Sequence, residues 1–203
     1  MKQIEKTELT VSKILEAAIE EFGTKGYNGG TINNICKKGI NKGLVYHNFK
    51  DKDELYLTCL KESCEKLVAM VKEKDCTSDM LEYMNIRMHF FKEYSNEAHI
   101  FFEAILQPQE NLRCKIQDIL RPFEEINEQI YRSAIASVTL RDDVREDEAL
   151  QYFRQMQQMF NAYFGSPAYR HMALDEQIKE HEMNLPKLFH FMLYGIAKGG
   201  EGK

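Results

Sequence analysis

Apolar residues recur at helical spacing along nearly the whole of this 203-residue chain, and its four prolines (Pro108, Pro122, Pro167, Pro186) all lie beyond the midpoint. A half-buried strand needs sustained apolar–polar alternation, and no run of that kind persists here. The chain is therefore expected to be all-α. Val11, Ile14, Leu15, Ala18, Ile19 and Phe22 share one face of a first helix that starts near Thr7 or Thr10 and ends at Lys25. Gly26 is suited to cap it, because glycine takes positive φ without a Cβ clash. A second helix is expected over 31–38, with Ile32 and Ile35 inward and Gly39 closing it. A third begins at the N-cap Asn41 and runs to about Asn48. Asp51 and Glu54 have capping-box spacing for a fourth, reaching about Lys74. Further helices are expected near 78–95, 97–106, 109–120, 123–138, 146–164 and 173–198. Pro108 and Pro122 should start or break helices, and Pro186 should kink or split the last one. Low-complexity sequence is confined to the GGEGK tail.

Charge is unevenly spread. The formal net charge is -5, yet residues 1–50 hold eight lysines against five glutamates, so the remainder carries -8. No acidic residue occurs between Lys25 and Lys50. A basic head on an acidic body is compatible with nucleic-acid binding despite the overall acidity. The N-terminal MKQIEKTELT lacks the apolar core of a signal peptide, and no window approaches the roughly 20 apolar residues of a membrane span. A cytoplasmic protein with no membrane partner is expected. Five cysteines without a CxxC pair read as reduced thiols filling small apolar sites.

Two short helices joined by a glycine turn, after a longer amphipathic one, form a helix-turn-helix pattern. The second short helix fits the major groove with its N-terminal residues at base edges. Lys42 at its start can reach a guanine edge or a phosphate, and Gly43 permits close backbone approach. Tyr46 and His47 can donate to phosphates, while Lys50 and Lys52 flank the exit. Lys52 also lies beside the N-terminus of the fourth helix, whose free N–H groups attract phosphate.

ILEAAIEEFGTKGYNGGTINNIC, followed by GINKGLVYHNFKDKDELYLTCL, resembles the DNA-binding head of the TetR family of transcriptional regulators. The resemblance rests on Ala18, Phe22, Gly26, Tyr27, Thr31, Ile35, Gly39, Gly43, Tyr46, Phe49, Lys52 and Leu55. FFEAILQP and LPKLFHFMLYGIAK also resemble family segments. The resemblance implies an all-helical homodimer: residues 1–50 would bind a double-stranded DNA operator, and residues 51–203 would bind a small-molecule inducer and dimerise through the last two long helices. It places Tyr46 and Lys52 at phosphates, Lys42, Gly43 and Leu44 at bases, and Thr31 and Asn33 near the DNA backbone. Two departures stand out. ICKKG is one residue shorter than the family pattern before the turn glycine, and Gly30 replaces a common threonine.

The body is rich in aromatic and methionine side chains, which serve core and dimer interface and would also line an apolar ligand site. Its candidate ligand residues are His89, His99, Phe102, Glu103, Tyr131, Met156 and Phe160, for a mainly apolar ligand with cationic or aromatic character. HEMNL (181–185) lacks the second histidine of a zinc-protease motif, and there is no phosphate loop or GxSxG elbow. No enzyme, metal or cofactor is expected. The chain reads as a ligand-released repressor. The alternatives are a DNA-binding regulator that works through a protein partner, and a helical carrier or enzyme that has lost operator binding.

Overall fold

A computed structural model describes residues 3–74, 76, 79–169 and 171–196. Among these, the helices are α1 (Gln3–Gly29), α2 (Ile32–Cys36), α3 (Lys42–Asn48), α4 (Lys52–Glu73), α5 (Met80–Glu93), α6 (Ser95–Leu106), α7 (Arg113–Ala136), α8 (Glu146–Phe164) and α9 (Leu174–Ile196). The all-α class is as expected. The GGEGK tail and the end expected for the last helix at 198 lie outside the described residues.

Several boundaries differ from the sequence expectations, beginning with α1, which starts at Gln3 and not near Thr7 or Thr10. Gly26 takes φ 67 and ψ 176, the positive φ expected of it, but the chain then makes one more helical turn instead of ending. Helix α2 stops at Cys36, two residues short of Lys38, and a turn through Gly39 (φ 83) follows. The two helices expected over 109–120 and 123–138 are one, α7, with Pro122 inside it and a 3-10 turn over Glu110–Leu112 before it. A proline within a helix costs about 3 kcal/mol. Ile116, Leu120, Phe123, Ile126 and Ile130 continue a buried row on both sides of Pro122. Burying each such side chain contributes about 1.5–3 kcal/mol, so packing outweighs the break. Helix α9 likewise continues through Pro186.

The chain packs as two compact units, one drawn from Met1–Lys66 and Phe90–Leu120, the other from Leu67–His89 and Arg121–Lys203. This division differs from one at residue 50, because α6 packs with α1 in the first unit. In that unit Ile14, Leu15, Ala18 and Phe22 of α1 are buried as the stripe predicts, with Val11 and Ile19 half-buried. Gly23 lets α6 come close: a Cβ there would lie 2.6 Å from the Asn96 Cα.

The second unit has an aromatic core in which Tyr131 packs on Phe153 and Phe189 at 5.4 and 5.3 Å. It also contains a buried polar network. Arg87 donates through Nε and Nη2 to the two Glu182 oxygens at 2.9 and 2.6 Å, and through Nη1 to the Tyr83 hydroxyl at 3.0 Å. The Tyr83 hydroxyl donates to Asn127 Oδ1. His181 Nδ1 lies 2.9 Å from Glu182 Oε1, and Phe160 and Phe164 pack on the His181 ring. HEMNL therefore supplies a structural ion pair. Burial alone would raise the Glu182 pKa, but the Arg87 charge and the bonds from His181 and Arg87 pull it to about 2 from an ordinary 4.5. Burial keeps the His181 pKa below its ordinary 6.5, so the ring is neutral at neutral pH.

Both shifts have the same consequence for stability. The Glu182 contribution is complete above about pH 4.5 and is lost as the pH falls towards 2, because the unfolded carboxyl takes up its proton first. His181 adds a loss that starts as the pH drops through 6.5, where the unfolded ring protonates and the buried one does not. Urea midpoints measured from pH 7 to pH 3 should fall throughout, most steeply below pH 4.5. Flat midpoints would contradict the burial of this network.

Candidate nucleic-acid interface

Thr31 is the N-cap of α2, and its Oγ1 accepts from the Asn34 N–H at 3.2 Å. Asn41 caps α3 through Oδ1, which accepts from the Gly43 N–H at 2.7 Å. Asp51 Oδ1 accepts from the Glu54 N–H at 2.9 Å, and Glu54 reaches back to the Lys50 N–H at 2.6 Å. The caps at Asn41 and Asp51 match the residues expected of them, whereas Thr31, expected as the first residue of α2, caps it instead. Between α2 and α3, Lys38 N–H and Gly39 N–H donate to the carbonyls of Ile35 and Cys36, both at 3.2 Å. These three-residue bonds close the turn after the early end of α2.

The α3 register that results is clear. Val45 and Phe49, one turn apart, point into the core. Leu44 and Tyr46 remain 45% and 50% exposed, and Lys42, Gly43 and His47 are exposed beside them. Lys42 Nζ donates to Asn33 Oδ1 at 2.9 Å and lies 5.9 Å from the Tyr46 ring centre, so α2 and α3 present one joined surface. Thr31 and Asn33 are exposed on the α2 side. Lys52, half-buried, rests over the Tyr27 ring at 4.3 Å.

One residue the sequence did not single out holds this head together. Glu21, buried on α1, accepts from the Thr31 N–H at 3.1 Å, from Asn34 Nδ2 at 2.9 Å and from Lys25 Nζ at 2.9 Å. Burial works to raise its pKa, yet the bonds from Lys25, Asn34 and Thr31 hold it below the ordinary value. The carboxylate is spent inside the head. It leaves the α2–α3 surface with lysine, amide, hydroxyl and imidazole donors and an exposed leucine, a set that can meet phosphates, base edges and a thymine methyl.

Residues 14–59 match the family model described as bacterial regulatory proteins, tetR family. These residues form a TetR-type DNA-binding head. Relatives of the chain include the fatty acid metabolism regulator protein of Bacillus subtilis (strain 168), 28% identical over 142 residues that span 66% of this chain and 73% of that protein. The HTH-type transcriptional repressor AcnR of Corynebacterium diphtheriae is 29% identical over 87 residues, covering 41% of this chain and 46% of the relative. The crystal structure of the transcriptional regulator FadR from Bacillus subtilis in complex with stearoyl-CoA shares the fold, with a TM-score of 0.65 at 19% identity over 91% of this chain and 98% of that one.

The ligand candidates divide between the units. His89 is exposed on α5, Met156 is half-buried on α8, and Tyr131 is buried on α7 with its hydroxyl donating to Gln157 Oε1. Phe160 is half-buried against Phe164 and His181. In the first unit Phe102 is buried against Phe91 and Phe101. His99 and Glu103 are engaged by α1 and α4. His99 Nδ1 lies 2.7 Å from the Gly23 carbonyl oxygen, and the Glu103 carboxylate accepts from the Tyr27 N–H at 2.9 Å and the Tyr56 hydroxyl at 3.1 Å. Burial raises the Glu103 pKa against the opposing pull of Tyr27, Tyr56 and Lys52. A groove of about 420 Å³ in the first unit sets Lys50, Lys61 and Lys115 beside Asp51 and Glu54 over Leu57 and Ile119. Its two carboxylates offset two of the three lysines.

Proposed function

We propose that this TetR-family chain is a transcriptional repressor that binds operator DNA as a homodimer and is released by a mainly apolar small molecule. The outward face of α3, with Lys42, Gly43, Leu44, Tyr46 and His47 exposed together above a buried Val45 and Phe49, carries the reading. In it, Lys42, Gly43 and Leu44 face bases. Tyr46, His47 and Lys52 hold phosphates, and Thr31 and Asn33 lie along the backbone beside them. The homodimer is supported by apolar side chains exposed at helical spacing on α8 (Tyr152, Met159, Tyr163) and on α9 (Met183, Phe191, Tyr194). Such faces are stabilised by being covered, at about 25 cal/mol per Å² of apolar surface. The ligand class is supported by the relative solved with stearoyl-CoA.

Mobility shifts on a selected operator test this reading. Lys42→Ala should weaken binding about 5- to 100-fold and relax specificity at the base it meets. Tyr46→Phe, which deletes one hydroxyl donor, should cost about 3- to 10-fold. Stearoyl-CoA should release the wild-type complex. Unchanged shifts in both variants would overturn the contact assignment, and indifference to stearoyl-CoA and to a panel of other apolar compounds would overturn the ligand class.

A further inference from the structure

The break in α1 at Gly26 has a specific bonding consequence. In an uninterrupted α-helix the N–H of residue 27 donates to the carbonyl of residue 23, four positions earlier. Gly26 at φ 67 and ψ 176 separates these two groups. Each is then met from α6: the Gly23 carbonyl by His99 Nδ1 at 2.7 Å, and the Tyr27 N–H by both oxygens of Glu103 at 2.9 Å. His99 and Glu103 are themselves four residues apart, so they span the same rise of about 6 Å as the groups they replace. The donor and acceptor of one severed helix bond are thus matched, in order, by an acceptor and a donor one turn apart on another helix.

We propose that His99 and Glu103 are positioning residues for DNA reading, a side-chain splint that selects the bent form of α1 over a straight one. A straight α1 would restore the bond between Gly23 and Tyr27 and need neither side chain. It would also redirect residues 27–30, which lead into Thr31 and the cap of α2. The bent form keeps Glu21 bonded to the Thr31 N–H and Asn34, and it brings Tyr27 to α4, where its hydroxyl donates to Asp53 Oδ1 and Lys52 covers its ring. Unfilled, the separated carbonyl and N–H would be costly where they are partly buried, so the bend depends on the splint. This rests on the proposed DNA-binding function for its significance, though not for its geometry.

Two readouts on the full chain test it: operator affinity by fluorescence anisotropy, and the backbone chemical shifts of Gly26 and Tyr27. Glu103→Ala and Gly26→Ala should each weaken operator binding at least about 10-fold, since alanine disfavours positive φ. The double variant should be no weaker than the worse single, because both release the same bend. Glu103→Gln, which keeps an oxygen acceptor for the Tyr27 N–H, should restore binding to within about 3-fold of wild type. Tyr56→Phe removes a different bond to Glu103 and should leave binding and shifts close to wild type, which separates the splint from a general loss of buried bonding. In Glu103→Ala the Gly26 and Tyr27 shifts should move to helical values. Wild-type operator affinity in Glu103→Ala, fully multiplicative losses in the double variant, or unmoved shifts would each overturn the splint. If the wild type selects no operator, the DNA-reading role fails, and the shifts still decide whether the splint sets the bend.

Discussion

Arg87→Ala should remove about 3–5 kcal/mol of stability, the usual cost of stranding one charge of a buried pair. Glu182 is buried with Arg87 and receives two of its hydrogen bonds, so the truncation leaves an ionised carboxylate that keeps the His181 contact but has lost its guanidinium. Tyr83 loses its guanidinium donor in the same step, and the Phe123 ring, 5.4 Å from that guanidinium, loses a neighbour. Urea unfolding at pH 7 would register the change as a lower midpoint. Replacing the pair together, Arg87→Met with Glu182→Leu, should cost far less, because no charge is then left without its partner. A loss below about 1 kcal/mol in Arg87→Ala would mean that the pair is solvated and not buried.

Gly23→Ala is expected to be the second most damaging change. An added Cβ would sit 2.5 Å from the Asn96 Cβ, 2.6 Å from its Cα and 2.8 Å from its carbonyl oxygen. Two of those three atoms are backbone, so rotamer changes cannot relieve the contact and α6 must move away from α1. Overpacking of this kind costs about 1–3 kcal/mol. For a chain of this size that corresponds to a drop of about 2–12 °C in Tm. The same shift carries His99 away from the Gly23 carbonyl, so operator affinity should fall together with Tm. A variant with unchanged Tm and affinity would contradict the close approach of α1 and α6.

What the sequence made legible was local. Asn41 and Asp51 each bond an N–H two or three residues away, and those distances can be read from the chain directly. The α1 stripe and the inward Ile32 and Ile35 follow from helical spacing in the same way. What local spacing could not disclose was long-range. Pro122 carries a local signal to break a helix, and a buried row on either side overrules it. His99 and Glu103 read as polar groups in an apolar helix, which suggests a ligand site. Their partners are backbone groups 76 residues earlier, which spacing cannot disclose. Arg87 and Glu182 are 95 residues apart, and nothing local marks either as one half of a pair. Gly30, a departure from the family pattern, has its reason in the Phe22 ring, whose Cδ1 would lie 2.5 Å from an added Cβ. The early end of α2 at Cys36 and the turn bonds after it likewise needed the fold.

The account stands or falls on sequence-specific DNA binding by the α2–α3 surface. Selection of bound sequences from a random double-stranded DNA pool by the full-length chain tests this most directly. The expected product is an inverted repeat whose half-sites lie one helical turn, about 34–36 Å, or a simple multiple apart. Its enrichment should be lost in Lys42→Ala with Tyr46→Phe. Recovery of no motif, or an equal motif from that double variant, would contradict the assignment of α3 as the reading helix.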